Sequence, residues 1–215
     1  MKLFLDTADV KSVKARLSTG LISGITTNPT LIRKAGRNPQ HVYQELIDLG
    51  INDISMEVVG DSEEELFNNA MGHVKTYDNK ATIKLPCSVD GLKVCKRLST
   101  IGVRTNVTLI FSVSQAILAA LAGATYISPF IGRMDDNSLD GIKLVDDIVH
   151  IFKRHYTGTK VLAASLRDVQ SVGVAFGMGA DICTVPPKVF DDMYNHILTD
   201  KGIAQFNKDH AETSN

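Results

Sequence analysis

Tryptophan is missing, and cysteine and proline are scarce: three and six residues in a chain of 215. The cysteines, Cys87, Cys95 and Cys183, are odd in number and have no Cys-x-x-Cys spacing, which speaks against a disulfide framework and a zinc site. A reducing, cytoplasmic compartment is the expectation. Charge of one sign is also lacking, since 23 Lys and Arg face 24 Asp and Glu, a formal net charge of -1. Nucleic acids and membrane surfaces recruit proteins through a marked basic excess or patch, so neither is an expected partner. No apolar run approaches the roughly 18 residues of a membrane span. The apolar start at Leu3 to Leu5 meets Asp6 and Asp9 too soon for a signal-peptide core. No Gly-x-Gly-x-x-Gly follows the first apolar run, and the six histidines show no His-Glu-x-x-His or paired spacing. Neither a metal nor an organic cofactor is expected.

What is present is repetition. Short β-branched or apolar runs recur at Leu3 to Leu5, Ile22 to Thr26, Ile54 to Val58, Ala81 to Leu85, Val103 to Leu109, Thr125 to Ser128, Val161 to Ala164 and Asp181 to Val185. Between them lie segments with helical spacing, such as Leu66, Ala70, Val74 and Tyr77, or Ile142, Val145, Val149 and Phe152. Helix starts are punctuated by Asn28-Pro29, by Asp61-Ser62 before Glu63 and Glu64, and by Pro186-Pro187. Strands joined by helices must run parallel, and eight such units without interruption predict a single α/β domain, a (β/α)8 TIM barrel over residues 1–215. A doubly wound sheet is the rival fold, weakened by the missing glycine fingerprint. The polar tail from His210 to Asn215 is expected to be mobile.

A TIM barrel works at the C-terminal ends of its strands, so alternate residues there are the candidates. One parity carries Phe4 and Asp6, then Thr26 and Asn28, Ser55 and Glu57, Thr82 and Lys84, Asn106 and Thr108, Ser128 and Phe130, and finally Ala163, Ser165 and Arg167. The other carries mostly apolar residues such as Leu5, Met56, Ile83 and Leu85, as a helix-covered face requires. A barrel filled only for packing would have Val, Ile and Leu on both.

Lys84 is the one lysine late in a strand on the inner parity, because Lys2 and Lys160 lie at strand beginnings. A free lysine, with a pKa near 10.4, is almost wholly protonated at neutral pH. Desolvation in the barrel mouth is what would release the neutral amine, which can attack a ketone and form a Schiff base. Asp6 and Glu57 are acid/base candidates, with a helix-cap role for Asp6 and an ion pair to Lys84 for Glu57 as the competing readings. Asn28, Asn106, Thr108 and Ser128 offer neutral hydrogen bonds suited to polyol hydroxyls and an ordered water. Arg133 and Arg167, with Ser165, form a candidate anion clamp after the sixth and seventh strands.

The stretches Leu5 to Asp9, Gly24 to Thr30, Ile83 to Pro86, Asn106 to Ser112, Ser128 to Arg133 and Ala163 to Arg167 resemble those of transaldolases, and the resemblance covers essentially the whole chain. The length is similar to that of the small bacterial and phage-type subfamily, which includes fructose 6-phosphate aldolases. That resemblance implies a class I transferase without cofactor. It would move a dihydroxyacetone unit from sedoheptulose 7-phosphate or fructose 6-phosphate to glyceraldehyde 3-phosphate or erythrose 4-phosphate, in the non-oxidative pentose phosphate pathway. It further implies that Lys84 forms the Schiff base, and that Asp6 and Glu57 handle protons, Glu57 with a water near Thr108. Asn28, Asn106 and Ser128, with Thr26 and Phe130 beside them, would hold the ketose, and Arg133, Ser165 and Arg167 the phosphate. A homo-oligomer, a decamer of two five-membered rings, is implied too, with residues 200–215 packing on a neighbour through Ile203 and Phe206. A fructose 6-phosphate aldolase and a non-catalytic ring-forming scaffold are the alternatives.

Overall fold

Eight parallel strands close into one ring in chain order, β1 pairing with β8. The computed structural model describes residues 1–213. The strands are β1 (Lys2–Asp6), β2 (Ile22–Thr26), β3 (Ile54–Glu57), β4 (Ala81–Pro86), β5 (Thr105–Ile110), β6 (Tyr126–Pro129), β7 (Lys160–Ala163) and β8 (Ile182–Val185). The helices among the described residues are α1 (Val10–Leu17), α2 (Pro29–Ala35), α3 (Pro39–Asp48), α4 (Glu63–Tyr77), α5 (Val89–Thr100), α6 (Val113–Leu121), α7 (Ile131–Asp135), α8 (Gly141–Arg154), α9 (Val169–Gly177), α10 (Pro187–Asp192) and α11 (Ile197–Thr213). The expected TIM barrel is the observed fold, and each expected strand overlaps an observed one within two residues at either end. No described helix is long and apolar enough to cross a membrane.

The strand-to-helix turns are fixed by short polar side chains that accept the otherwise unpaired first N–H groups of a helix. Asp9 caps α1, Asn28 caps α2 ahead of Pro29, Ser62 caps α4, and Ser88, Ser112, Asp140 and Asp168 cap α5, α6, α8 and α9. These turns lie at the end of the barrel where the candidate residues gather. The outer strand faces and the helices share the main apolar core, with Leu5, Ile25, Met56, Ile83, Leu85, Val107 and Val185 fully buried. A second, smaller cluster fills the ring itself: Phe4, Tyr126, Leu162, Ala164 and Ile182, with Phe130 against it. Gly24 makes room for the Phe4 ring, since a Cβ there would lie 2.6 Å from its Cζ.

The floor of the ring is polar, which the sequence reading did not anticipate. Asp53 accepts hydrogen bonds from Thr82 Oγ1 at 2.7 Å and Tyr126 Oη at 2.7 Å, and pairs with Arg104 at 2.9 Å. Burial and the Asp53 carboxylate together hold the Tyr126 phenol well above its ordinary range. The network closes the N-terminal end of the barrel with every polar partner supplied.

Two expectations are corrected. On β7 the inner residues are Leu162 and Ala164, while Ala163 lies in the outer core. Val161 to Ala164 is apolar on both parities, so nothing in its composition sets the phase. Ser165 still reaches the mouth because its backbone turns left-handed (φ 59°) and breaks the alternation. The tail is helical through Thr213 rather than loose, as part of α11; Ser214 and Asn215 lie outside the described residues.

Candidate active site

At the C-terminal mouth a cavity of about 130 Å³ is lined by Asp6, Thr26, Asn28, Lys84, Ser128, Phe130, Arg133, Ala164, Ser165 and Thr184. Eight of these ten are sequence-derived candidates, brought from β1, β2, β4, β6, α7 and the turns after β2, β6 and β7. Lys84 is the centre. The residue is 4% exposed, and its ammonium donates to the Thr27 carbonyl at 3.0 Å and pairs with Glu57 Oε2 at 3.0 Å. Glu57 stands directly opposite Lys84 in the β3–β4 pairing. The ion pair raised as a competing reading for Glu57 is therefore made, and it leaves Glu57 as the immediate acceptor for a proton leaving the amine. Glu57 does not line the cavity itself. It faces a neighbouring groove of about 620 Å³ between α2, α3 and α4, walled by Arg33, Tyr43 and His73. The amine thus stands between the cavity on one side and a water-accessible carboxylate on the other.

Asp6 is half-buried at the end of β1, and it accepts a hydrogen bond from Thr26 Oγ1 at 2.7 Å. Burial raises its pKa above the usual carboxylate range, opposed by the nearby Lys84 ammonium and the Thr26 hydrogen bond, with Glu57 adding a smaller upward push. A raised pKa makes the carboxylate a stronger proton acceptor than a free one, the property a general base needs. The helix-cap reading for Asp6 fails, because Asp9 caps α1.

The neutral candidates divide. Asn28 spends its Oδ1 on the Leu31 N–H at 2.9 Å, which leaves its amide N–H₂ for the cavity. Asn106 is fully buried below the cavity, donating to Ser55 Oγ at 3.1 Å and accepting from Ser128 Oγ at 2.7 Å. Asn106 therefore sets the orientation of Ser128 rather than lining the space. Thr108 is also buried and outside the lining, and its Oγ1 has no hydrogen-bond partner. An orphaned buried hydroxyl costs free energy unless water or ligand completes it, which suits the ordered-water role. Next to it Leu109 adopts φ 60° where the β5–β6 register slips, and Val107 and Ile110 both face the outer core. This bulge ends the regular strand at the site.

The arginines also part ways. Arg133 lines the cavity, with its guanidinium 5.0 Å from the centre of the Phe130 ring. Arg167 does not line it. Its side chain is 54% exposed, and both terminal nitrogens bind the two carboxylate oxygens of Asp136. Its stem passes over Gly132, where a Cβ would lie 2.8 Å from Arg167 Nε. The expected pair of forks is thus one fork in place and one held by a carboxylate. The sequence reading missed Thr184 because it stopped its parity count at the seventh strand. The same alternation on β8 puts Ile182 and Thr184 inside and Cys183 and Val185 outside, which would have found it.

A closed parallel barrel whose mouth holds a buried amine between two carboxylates, with a cation at its edge, has the make-up of an enzyme site. Comparison with known proteins narrows the class. The family model for transaldolase/fructose-6-phosphate aldolase matches residues 3–215. A probable transaldolase of Paracoccus denitrificans is 46% identical over 213 residues, 99% of this chain and 98% of the relative. One from Moorella thermoacetica is 45% identical over 215 residues, all of both chains. The chain belongs to the transaldolase/fructose-6-phosphate aldolase family, and it is accordingly a transferase-type enzyme, which sets aside the scaffold alternative. Among solved structures, thiamine phosphate pyrophosphorylase from Pyrococcus furiosus superposes with a TM-score of 0.56 at 17% identity, over 86% of this chain and 85% of that one. That likeness concerns the barrel alone.

Proposed function

We propose that the protein is a Schiff-base transaldolase acting on phosphorylated sugars, and the observation that carries this reading is the buried Lys84 amine held 3.0 Å from Glu57 with Asp6 in the same mouth. Lys84 passes a proton to Glu57 and its nitrogen attacks the C2 ketone of fructose 6-phosphate or sedoheptulose 7-phosphate. Glu57, with a water resting on Thr108 Oγ1, returns protons so that the carbinolamine oxygen leaves as water and the C2–N double bond forms. Asp6 takes the proton of the C4 hydroxyl. The C3–C4 electron pair moves into the iminium as that bond breaks, which leaves an enamine on Lys84 and releases an aldose phosphate. Glyceraldehyde 3-phosphate or erythrose 4-phosphate enters, the enamine carbon attacks its aldehyde, and Asp6 returns the proton to the new alkoxide. Water then frees the product ketose and restores Lys84.

Asn28 and Ser128 face the ketose hydroxyls, with Thr26 and Asn106 holding Asp6 and Ser128 in place. Arg133 and Ser165 receive the phosphate, joined by Arg167 when it leaves Asp136. The iminium is the electron sink, so the cycle requires no organic cofactor. Phe130 lines the cavity without a hydroxyl, so no side-chain donor there holds a water to protonate the enamine, which favours transfer over release of free dihydroxyacetone. The setting we infer is the cytoplasmic non-oxidative pentose phosphate pathway, in a homodecamer of two five-membered rings. The outward apolar residues of α11, Ile197, Leu198, Ile203 and Phe206, are the surface such an assembly would cover. The reading is tested by supplying fructose 6-phosphate and erythrose 4-phosphate: sedoheptulose 7-phosphate and glyceraldehyde 3-phosphate should form in equal amounts.

A further inference from the structure

One lining residue has no role in the chemistry described above. Thr184, on β8, is 2% exposed, and its Oγ1 lies 2.7 Å from Thr26 Oγ1, which in turn lies 2.7 Å from Asp6 Oδ1. The direction of this chain follows from counting protons. An ionised carboxylate only accepts, and a hydroxyl has one proton to give. Thr26 gives its proton to Asp6, so the Thr26–Thr184 contact has to be donated by Thr184. Three strands that are neighbours in the ring, β8, β1 and β2, are thus tied at their ends by a hydrogen-bond chain that terminates on the proposed base.

We propose that Thr184 is a positioning residue for Asp6, acting through the hydroxyl of Thr26. The inference rests on the Schiff-base reading, in which Asp6 exchanges a proton with the C4 oxygen. By filling a lone pair of Thr26, Thr184 stops that hydroxyl from rotating toward another acceptor and polarises its O–H bond toward Asp6. A stronger donor on a carboxylate favours the ionised, proton-accepting form. The other groups that face Asp6 are the Lys84 ammonium from β4 and the Glu57 carboxylate from β3, with Arg133 of α7 lining the same cavity. Unlike these, Thr26 and, behind it, Thr184 act on Asp6 without carrying charge.

The test is the pH dependence of kcat/KM for transfer from fructose 6-phosphate to erythrose 4-phosphate in wild type, Thr184→Val and Thr184→Ser, with borohydride trapping of the Lys84 adduct run in parallel. Thr184→Val should move the acid limb to higher pH by roughly half a unit or more, so that activity on that limb falls about 3-fold or more while alkaline activity changes little. Adduct trapping should persist, and Thr184→Ser should restore the wild-type limb. Should the valine variant melt early, Thr184→Ala removes the same hydroxyl and should show the same displacement. An unchanged acid limb in both hydroxyl-free variants, or a loss equal at every pH that serine does not repair, would overturn the proposal. Failure of the Schiff-base reading has a different signature, since wild type itself would then trap no adduct.

Discussion

Lys84 Nζ lies 3.0 Å from Oε2 of Glu57, the residue directly opposite it in the β3–β4 pairing. The strand register, more than any loop, sets this distance. A one-residue slip of β4 would carry Lys84 from the inner face to the helix-covered face and put Ile83 or Leu85 in its place. The barrel therefore fixes the amine and its proposed proton acceptor through strand register, while α7 and the turn after β7 supply the groups proposed to meet the phosphate.

Asp6→Asn should abolish transfer yet stabilise the fold at neutral and alkaline pH. The folded-state pKa of Asp6 is raised by burial, so folding penalises its charged form. That penalty is absent below the unfolded pKa, near 3.9, and grows as pH rises through the folded value. Melting temperatures of the two proteins should converge below about pH 4 and separate above it, with Asp6→Asn the higher. A lower melting temperature for Asp6→Asn at pH 8 would show that the carboxylate is net stabilising.

Arg133→Ala should cost about 2 to 4 kcal/mol in kcat/KM for phosphorylated sugars, as expected for loss of a charge-assisted contact in a partly enclosed site, and far less with unphosphorylated acceptors. Arg167→Ala should show the same selectivity. Asp136 holds the Arg167 guanidinium that we propose joins the phosphate, so Asp136→Asn should lower KM for the phosphorylated donor by a few-fold with kcat nearly unchanged. Steady-state kinetics with paired phosphorylated and unphosphorylated substrates separates these outcomes from general damage.

Much of this site was legible before the fold was seen. Period-two alternation on six strands placed Asp6, Thr26, Glu57, Lys84, Thr108 and Ser128 on the inner face, because the polar residues of those strands fall mostly on one parity, with Ser23 of β2 and Thr105 of β5 as the exceptions. Strand β7 was misphased because both its parities are apolar, and the left-handed Ser165 cannot be read from composition. The polar floor around Asp53 was invisible for another reason: its partners Thr82, Arg104 and Tyr126 are ordinary residues whose meeting depends on three strand registers. The pairing of Arg167 with Asp136 joins residues 31 apart and is set by the turn after β7, not by any periodicity.

With fructose 6-phosphate alone, free dihydroxyacetone should accumulate slowly, and erythrose 4-phosphate should convert the reaction to fast transfer with ping-pong kinetics. Phe130, packed against Phe111 and Arg133, offers the enamine no proton donor. Release of dihydroxyacetone as fast as transfer would favour the aldolase reading and leave the imine chemistry intact.

Truncation after Thr199 should weaken assembly. Phe206 is 73% exposed and Ile203 54%, an apolar stripe outside both core clusters of the described residues. Light scattering should give about ten times the chain mass for the full-length protein and a smaller species for the truncated one. A full-length monomer at micromolar concentration would contradict the proposed assembly.

The most direct measurement is reductive trapping. Incubation with fructose 6-phosphate and borohydride, followed by peptide mass analysis, should place a dihydroxyacetone-derived mass on the peptide that contains Lys84. Lys84→Met, similar in volume and without an amine, should melt as a folded barrel and carry no adduct. An adduct on another lysine, or active protein that traps none, would contradict the assignment of Lys84 as the covalent catalyst.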